Sequence, residues 1–195
     1  MTDLSLGTAL LHYWPRFLTS SQADHYFEIF KKEIPWRSEK VMVYGKYYDQ
    51  PRLTALFAEE HRSYSYSTLT LQSHPFTSEI KALKMQIEEK TSHLFNSCLF
   101  NLYRDENDSN GWHADNEKEL GALPVIASLS LGEARAFHLK HHTDKSLKQK
   151  LLLEHGSLLL MAGNTQTDFK HQLPKTKTPK GPRINLTFRY IFDTL

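Results

Sequence analysis

The segment "GWHADN", residues 111–116, sets an imidazole and a carboxylate two positions apart. On extended backbone His113 and Asp115 point to the same side and can bind one ion. Asn110 and Gly111 before them suit a turn that leads into a strand end. A third ligand has to come from elsewhere, and the candidates are His138, His141, His142, His155 and His171. The cluster "HLKHH" has the surroundings of a charged hairpin tip. His171 alternates with Phe169 on a strand-like stretch. Two imidazoles and one carboxylate form the facial arrangement of non-haem Fe(II), with positions left for substrate and oxygen. Zinc hydrolysis needs three protein ligands and a water, so residue types alone leave both ions open.

A second group of reactive side chains lies in "GPRINLTFRYIF", residues 181–192. Ile184, Leu186, Phe188 and Tyr190 alternate as the apolar face of a strand. Arg183, Asn185, Thr187 and Arg189 make the other face, and its two guanidinium groups stand roughly 20 Å apart along the strand. A buried arginine is costly unless an anion meets it, and its planar fork matches a carboxylate. Pattern and charge thus give an anion-binding strand near a possible metal. A dicarboxylate co-substrate would chelate the ion with one end and need a cationic partner at the other.

These groups need a scaffold. "SSQADHYFEIFKKEIPW" reads as a helix capped by Ser20 or Ser21, with Ala23, Phe27, Phe30 and Ile34 along one side and Pro35 as its stop. "TSEIKALKMQIEEKTSHLF" reads as a second helix capped by Thr77 or Ser78, with Ile80, Leu83, Ile87 and Leu94 as a spine. Between them "EKVMVYGKYY" and "HRSYSYSTLTLQ" have strand character. After the second helix come short β-like pieces separated by Gly, Pro, Asn and Lys: "SCLFNLYR", "PVIASLSLG", "EARAFHLKHH", "KQKLLLEHG", "SLLLMAG", "FKHQLPK" and "RINLTFRYIF". That density predicts a sandwich or barrel. The expected fold is mainly β with flanking helices around a jelly-roll core. Residues 1–195 form one domain, with 1–96 as helical support and 97–192 as the chemical half.

The totals fit this. The chain has 195 residues, enough for one sizeable core, and 39% of them are hydrophobic. No run of 18 apolar residues exists, so no membrane helix is expected. The N-terminus has no basic segment before its apolar stretch and does not read as a signal peptide. A single cysteine, Cys98, excludes an intrachain disulfide framework and fits a reducing compartment. The expectation is a cytoplasmic location in a bacterium or a nuclear one in a eukaryote. Net charge is only +2, but the basic runs 138–150 and 169–183 flank an acidic centre of Asp105, Glu106, Asp108, Asp115, Glu117 and Glu119. Such a layout suits a metal site beside a polyanion, although each run alone is also what a solvated loop looks like.

Taken together, the motifs resemble the AlkB family of Fe(II)- and 2-oxoglutarate-dependent nucleic-acid dealkylases, particularly the branch with the mammalian duplex-DNA repair members. The resemblance covers residues 41–192 and is carried by the order of an Asn-x-Tyr segment, His-x-Asp, a distant His and Arg-x-Asn-x-Thr-x-Arg. It implies a double-stranded β-helix. It places the metal ligands on His113, Asp115 and His171, and the 2-oxoglutarate contacts on Asn101, Tyr103, Arg183, Asn185 and Arg189, with Arg189 at the end nearer the metal. The implied reaction uses O2 and decarboxylates 2-oxoglutarate to succinate and CO2. It hydroxylates the N-methyl group of a base such as 1-methyladenine or 3-methylcytosine, and formaldehyde leaves.

The same resemblance implies a base-flipping site. Tyr66, with Tyr64 on the same strand face, matches the aromatic that stacks on the flipped base. Val43 and Tyr44, followed by Gly45 for a tight turn, match a hydrophobic finger that fills the gap in a duplex, with Lys46 near phosphates. Residues 1–96 thereby hold a nucleotide-recognition lid as well as the helical support; Arg52 matches a lid position and Arg135 a pocket edge, with Ala136 standing where the family pattern has a polar residue. Lys175, Lys177 and Lys180 fall in a basic loop that suits phosphate contacts. The expected partner is alkylated DNA, duplex or single-stranded, or RNA, bound by a monomer. A protein or small-molecule substrate on the same core is the alternative.

Overall fold

The computed structural model describes residues 1–192, apart from 44, 60–62 and 67–68, and gives the backbone alone at 43, 63–66 and 69–71. The N-terminal half runs β1 (Thr2–Asp3), β2 (Ala9–Trp14), α1 (Ser20–Glu33), β3 (Lys40–Val43), β4 (Lys46–Asp49), β5 (Leu53–Ala58), β6 (Ser63–Tyr66), β7 (Leu69–Gln72), β8 (His74–Pro75) and α2 (Ser78–Thr91). The C-terminal half runs β9 (Ser97–Tyr103), β10 (Asn110–His113), β11 (Ile126–Gly132), β12 (Arg135–His141), β13 (Lys148–Leu153), β14 (Ser157–Gly163), α3 (Thr165–Asp168), β15 (Phe169–Leu173) and β16 (Arg183–Arg189). Eight strands form one sheet in the order β1-β2-β14-β11-β16-β9-β5-β8, and four form a second in the order β10-β15-β12-β13. This is the jelly-roll arrangement expected from the short, regularly broken strands.

The large sheet has two differently used faces. Ile184, Leu186 and Phe188 of β16 join Phe100, Leu129 and Leu131 in a core that also takes Ala23 and Phe30 of α1 and Ile80, Leu83 and Ile87 of α2. The opposite face packs Leu56, Leu99 and Met161 against Phe137, Leu139 and Leu153 of the small sheet. Strand β16 lies between β11 and β9, so all seven of its residues are buried. Its alternation therefore separates an apolar helix-side row from a polar row inside the roll.

Several local expectations change. Thr19, one residue earlier than expected, caps α1: its hydroxyl accepts from Gln22 N at 3.3 Å while Gln22 Oε1 accepts from Thr19 N at 3.0 Å. Thr77 caps α2, which ends as Ser92 enters the left-handed region, so Leu94 lies past the helix and is 72% exposed. Tyr190 follows the end of β16 and is exposed. "HRSYSYSTLTLQ" holds two strands, β6 and β7, paired antiparallel. The first 96 residues do more than support: β1, β2, β5 and β8 complete the large sheet. Strand β5, "LTALFA", is an apolar run buried on both faces and so lacks a period of two in its sequence, whereas β2, "ALLHYW", alternates in burial but carries the apolar Leu10 on its exposed side, which hides the period.

Candidate active site

His113 ends β10 and stands directly opposite His171 on β15, with a register irregularity between Asn110 and His113. Asp115 follows two residues later. One ligand atom from each of the three lies within 4.8 Å of the others. Asp115 Oδ1 is 4.0 Å from His113 Nε2, and its Oδ2 is 4.0 Å from His171 Nε2. His113 Nδ1 lies 2.7 Å from the Gly111 carbonyl, which fixes the proton there and leaves Nε2 as the ligand. The Phe137 ring stacks on His171 at 5.3 Å.

Electrostatics prepare the three groups for a cation. Burial pushes the His113 imidazolium down, and burial with the nearby His113 takes His171 to about 3, so both rings are neutral at physiological pH. Burial would raise the Asp115 pKa, but Arg189 and the two imidazoles outweigh it and the carboxyl stays ionised. Arg189 Nη2 donates to Asp115 Oδ1 at 2.8 Å, and Gln166 Oε1 accepts from Asp115 N at 2.9 Å. Neutral imidazoles beside an oriented carboxylate are the state in which such groups ligate a metal.

The polar row of β16 lines the same cavity. Arg183, Asn185, Thr187 and Arg189 share it with the metal-site residues, Asn101 and Tyr103, in about 520 Å³ of empty space including the mouth. Asn185 Nδ2 donates to Ser128 Oγ at 2.8 Å, and Thr187 Oγ1 donates to Asn185 Oδ1 at 3.0 Å. Arg183 is 1% exposed and donates from Nη2 to Ser130 Oγ at 2.9 Å, with the Tyr103 side chain as a second polar neighbour. Its Nε and Nη1 have no hydrogen-bond partner, and burial pulls its pKa to about 10. Its guanidinium lies 5.3 Å from the Tyr103 ring centre. Arg52, Arg183 and Arg189 face only one carboxylate, Asp115, among the lining residues. The lining therefore carries more buried positive than negative charge, the condition under which an anion is bound favourably.

The remaining predicted residues divide. Arg52 is buried at the mouth, with Nε on Asn101 Oδ1 at 2.8 Å, and it also lines an adjoining cleft with Asn110, Trp112 and His113. Arg135 is drawn elsewhere: its guanidinium donates to the carbonyls of Asp105, Asp108 and Pro174 at 2.9, 2.8 and 3.0 Å, outside the residues that line the cavity. It ties the loop before β10 to the loop after β15. Lys180 is held by Glu133 at 2.8 Å, whereas Lys175 and Lys177 are exposed. Val43 and Lys46 pair at the end of the β3–β4 hairpin, where Gly45 takes a φ of +75°. Tyr44 lies outside the described residues, as do the side chains of Val43, Tyr64 and Tyr66; the backbone of the two tyrosines belongs to β6. Met42, Tyr47 and Tyr48 of that hairpin are exposed. Ser128, Ser130 and Gln166 shape the site and were not singled out, although Ser128 and Ser130 alternate on β11 in step with Asn185 and Thr187.

Two imidazoles and a carboxylate fit Fe(II), and the buried guanidinium row fits a small dianion beside it. Comparison with known proteins agrees. A family model described as the 2OG-Fe(II) oxygenase superfamily matches residues 10–189. The chain is 40% identical over 195 residues to "Alpha-ketoglutarate-dependent dioxygenase alkB homolog 3" of Mus musculus, covering 95% of this chain and 68% of that protein. It is 38% identical over 220 residues to "DNA oxidative demethylase ALKBH2" of Arabidopsis thaliana, covering 97% of this chain and 68% of that protein. The chain thus spans about two thirds of the length of these relatives. A solved structure titled "The structure of OsALKBH1" superposes with a TM-score of 0.59 at 20% identity, covering 97% of this chain and 99% of the other, a likeness of fold.

Proposed function

This chain belongs to the 2OG-Fe(II) oxygenase superfamily, and from that premise we infer that it removes N-alkyl groups oxidatively from bases of nucleic acid. The enzyme class is a 2-oxoglutarate-dependent dioxygenase with His113, Asp115 and His171 as its Fe(II) triad. The observation that carries the co-substrate reading is Arg183: a buried cation with two unpartnered donors, in the same cavity as the triad. In this reading Arg183 takes the far carboxylate of 2-oxoglutarate through Nε and Nη1. Arg189, on Asp115, serves the end nearer the metal, and Asn101, Tyr103 and Asn185 line the space between. When bound, Fe(II) with 2-oxoglutarate and O2 supplies the oxidant that hydroxylates an N-methyl group, after which formaldehyde leaves. The protein's own part is to orient the triad, hold the dianion and keep Asp115 ionised.

The substrate half of the reading is alkylated DNA, with 1-methyladenine and 3-methylcytosine as the lesions and direct reversal of damage as the role. The relatives' printed names include a DNA oxidative demethylase. The cleft beside His113 offers Trp112 and the guanidinium of Arg52 as its walls. In this reading Tyr66 supplies the stacking ring, and Val43 and Tyr44 supply the wedge for a duplex. The test is formaldehyde release with iron, 2-oxoglutarate and N-methylated oligonucleotides as duplex DNA, single-stranded DNA and RNA. Formaldehyde from at least one DNA form, in step with succinate, is expected. Succinate without formaldehyde from any DNA form would refute the substrate half, and release from RNA alone would move the activity to RNA.

A further inference from the structure

The small sheet turns its inner face to the His113–Asp115–His171 triad. Its outer face carries no apolar cover and a concentration of positive charge. Register places Lys140 of β12 directly opposite Lys170 of β15 on one side and Lys148 of β13 on the other. Residues opposed in register point to the same face, so three lysines stand in one row across three strands. Neighbouring strands lie about 4.8 Å apart, and the row spans roughly 10 Å. In the next outward row Gln172 and Lys150 flank His138. All four lysines are exposed.

Like charges in direct cross-strand register oppose sheet formation, and proteins ordinarily relieve them with carboxylates. No relief is present on this face. The outward residues are Lys170 and Gln172 on β15, Ala136, His138 and Lys140 on β12, and Lys148, Lys150 and Leu152 on β13, with no acidic residue among them. Among the described residues none of the four lysines forms an ion pair, in contrast to Lys180 and Lys84, which are each held by glutamates. The charge is felt within the face: burial first, and then the charge of Lys150, push the His138 imidazolium down.

The face is also continuous with the site. Lys140 Nζ lies 4.1 Å from the centre of the Trp112 ring, and Trp112 lines the cleft that shares Arg52, Asn110 and His113 with the metal cavity. A chain of charge and aromatic surface thus leads from the triad around the edge strand β10 onto the lysine rows.

We propose that the outer face of the small sheet is a phosphate-binding track for the nucleic acid whose target base occupies the cavity. Lys140, Lys148, Lys150 and Lys170 contact the backbone of the flanking nucleotides. This rests on the nucleic-acid reading above and extends it to a surface outside the cavity. A polyanion is the occupant that the charge selects, because it neutralises the row as it binds and releases counterions. These contacts position the strand and carry no sequence information.

The experiment compares wild-type enzyme with K148A/K170A, and with K81A/K90A on α2 as a matched loss of two exposed charges elsewhere. Lys140 is left in place because of its contact with Trp112. Binding of a fluorescent single-stranded oligonucleotide carrying 3-methylcytosine is followed by anisotropy from 50 to 200 mM salt, and the 2-oxoglutarate KM is measured on each enzyme. For K148A/K170A the slope of log K against log salt should fall in magnitude by about 1.4, near 0.7 for each lost contact. Affinity at 100 mM salt should drop about tenfold, with the 2-oxoglutarate KM unchanged. A slope equal to that of the wild type overturns the track, and so does a drop in affinity accompanied by an equal rise in the 2-oxoglutarate KM. Failure of the wild type itself to bind any oligonucleotide would instead remove the nucleic-acid reading on which the track rests.

Discussion

Replacing Arg183 by methionine tests the anion argument most directly. The side chain is 1% exposed, with Nε and Nη1 unpartnered. Burial pulls its pKa from 12.5 to about 10, which corresponds to on the order of 3 kcal/mol against the charged form. At neutral pH the group is charged whether the chain is folded or not, so the empty site carries this penalty in full. Binding a carboxylate to the two free donors offsets it. Removing the cation therefore raises the 2-oxoglutarate KM by about 100-fold, since each tenfold step is about 1.36 kcal/mol. The ligand-free protein moves the other way. It loses the Ser130 hydrogen bond and the Tyr103 contact but also a buried, unsatisfied charge. For a chain of this size about 1 kcal/mol is worth roughly 2–4 °C, so Tm without 2-oxoglutarate should stay level or rise by a few degrees. Succinate formation against 2-oxoglutarate concentration gives the KM, and calorimetry with and without 2-oxoglutarate gives the second reading. An unchanged KM, or a ligand-free Tm several degrees lower than the wild type, would refute the reasoning.

Three other outcomes are expected. Changing His113, Asp115 or His171 to alanine should abolish succinate formation with iron supplied, and retained turnover in any of the three would count against the triad. Arg135→Ala strands three carbonyls, and at about 1 kcal/mol or more each the loss should lower Tm by at least 6 °C, read by thermal unfolding; a shift under one degree would contradict its role as a tie between loops. In metal-free protein His171 titrates near 3 when folded and near 6.5 when unfolded. The unfolded chain binds the extra proton between those values, so stability holds above pH 6.5 and falls below it, with a slope approaching about 1.4 kcal/mol per pH unit from this group. A Tm that does not change between pH 7 and 5 would show that the ring is not buried neutral.

Side chains whose chemistry is self-announcing were legible in the sequence. His113 and Asp115 declared themselves by spacing, and the arginines of β16 by standing on an otherwise apolar strand. The large sheet was half legible, because β5 is buried on both faces and β2 sets an apolar residue, Leu10, on its exposed side, so neither shows a clean polar–apolar alternation. The loop-tying bonds of Arg135 were illegible for a different reason. Its partners are three backbone carbonyls 27 to 39 residues away, and no residue type advertises a carbonyl. The lysine row was visible only as a basic run, since charge becomes a surface once register aligns Lys140, Lys148 and Lys170. The selection of His171 among five histidines came from resemblance. Its physical reason is its place opposite His113.

That opposition has a consequence for folding. Strand β10 is the outermost strand of the small sheet, four residues long, and it meets β15 through an irregular register. A slip of one residue along β15 would turn His171 outward and bring Lys170 into the cavity. An ion held between the two rings accepts only one of these alignments, so the cofactor also proofreads the pairing of an edge that backbone bonds alone define weakly. Amides of β10 and β15 should accordingly exchange with solvent slowly in loaded enzyme and quickly after chelation, while those of β16, between two neighbours in the large sheet, should keep their protection throughout.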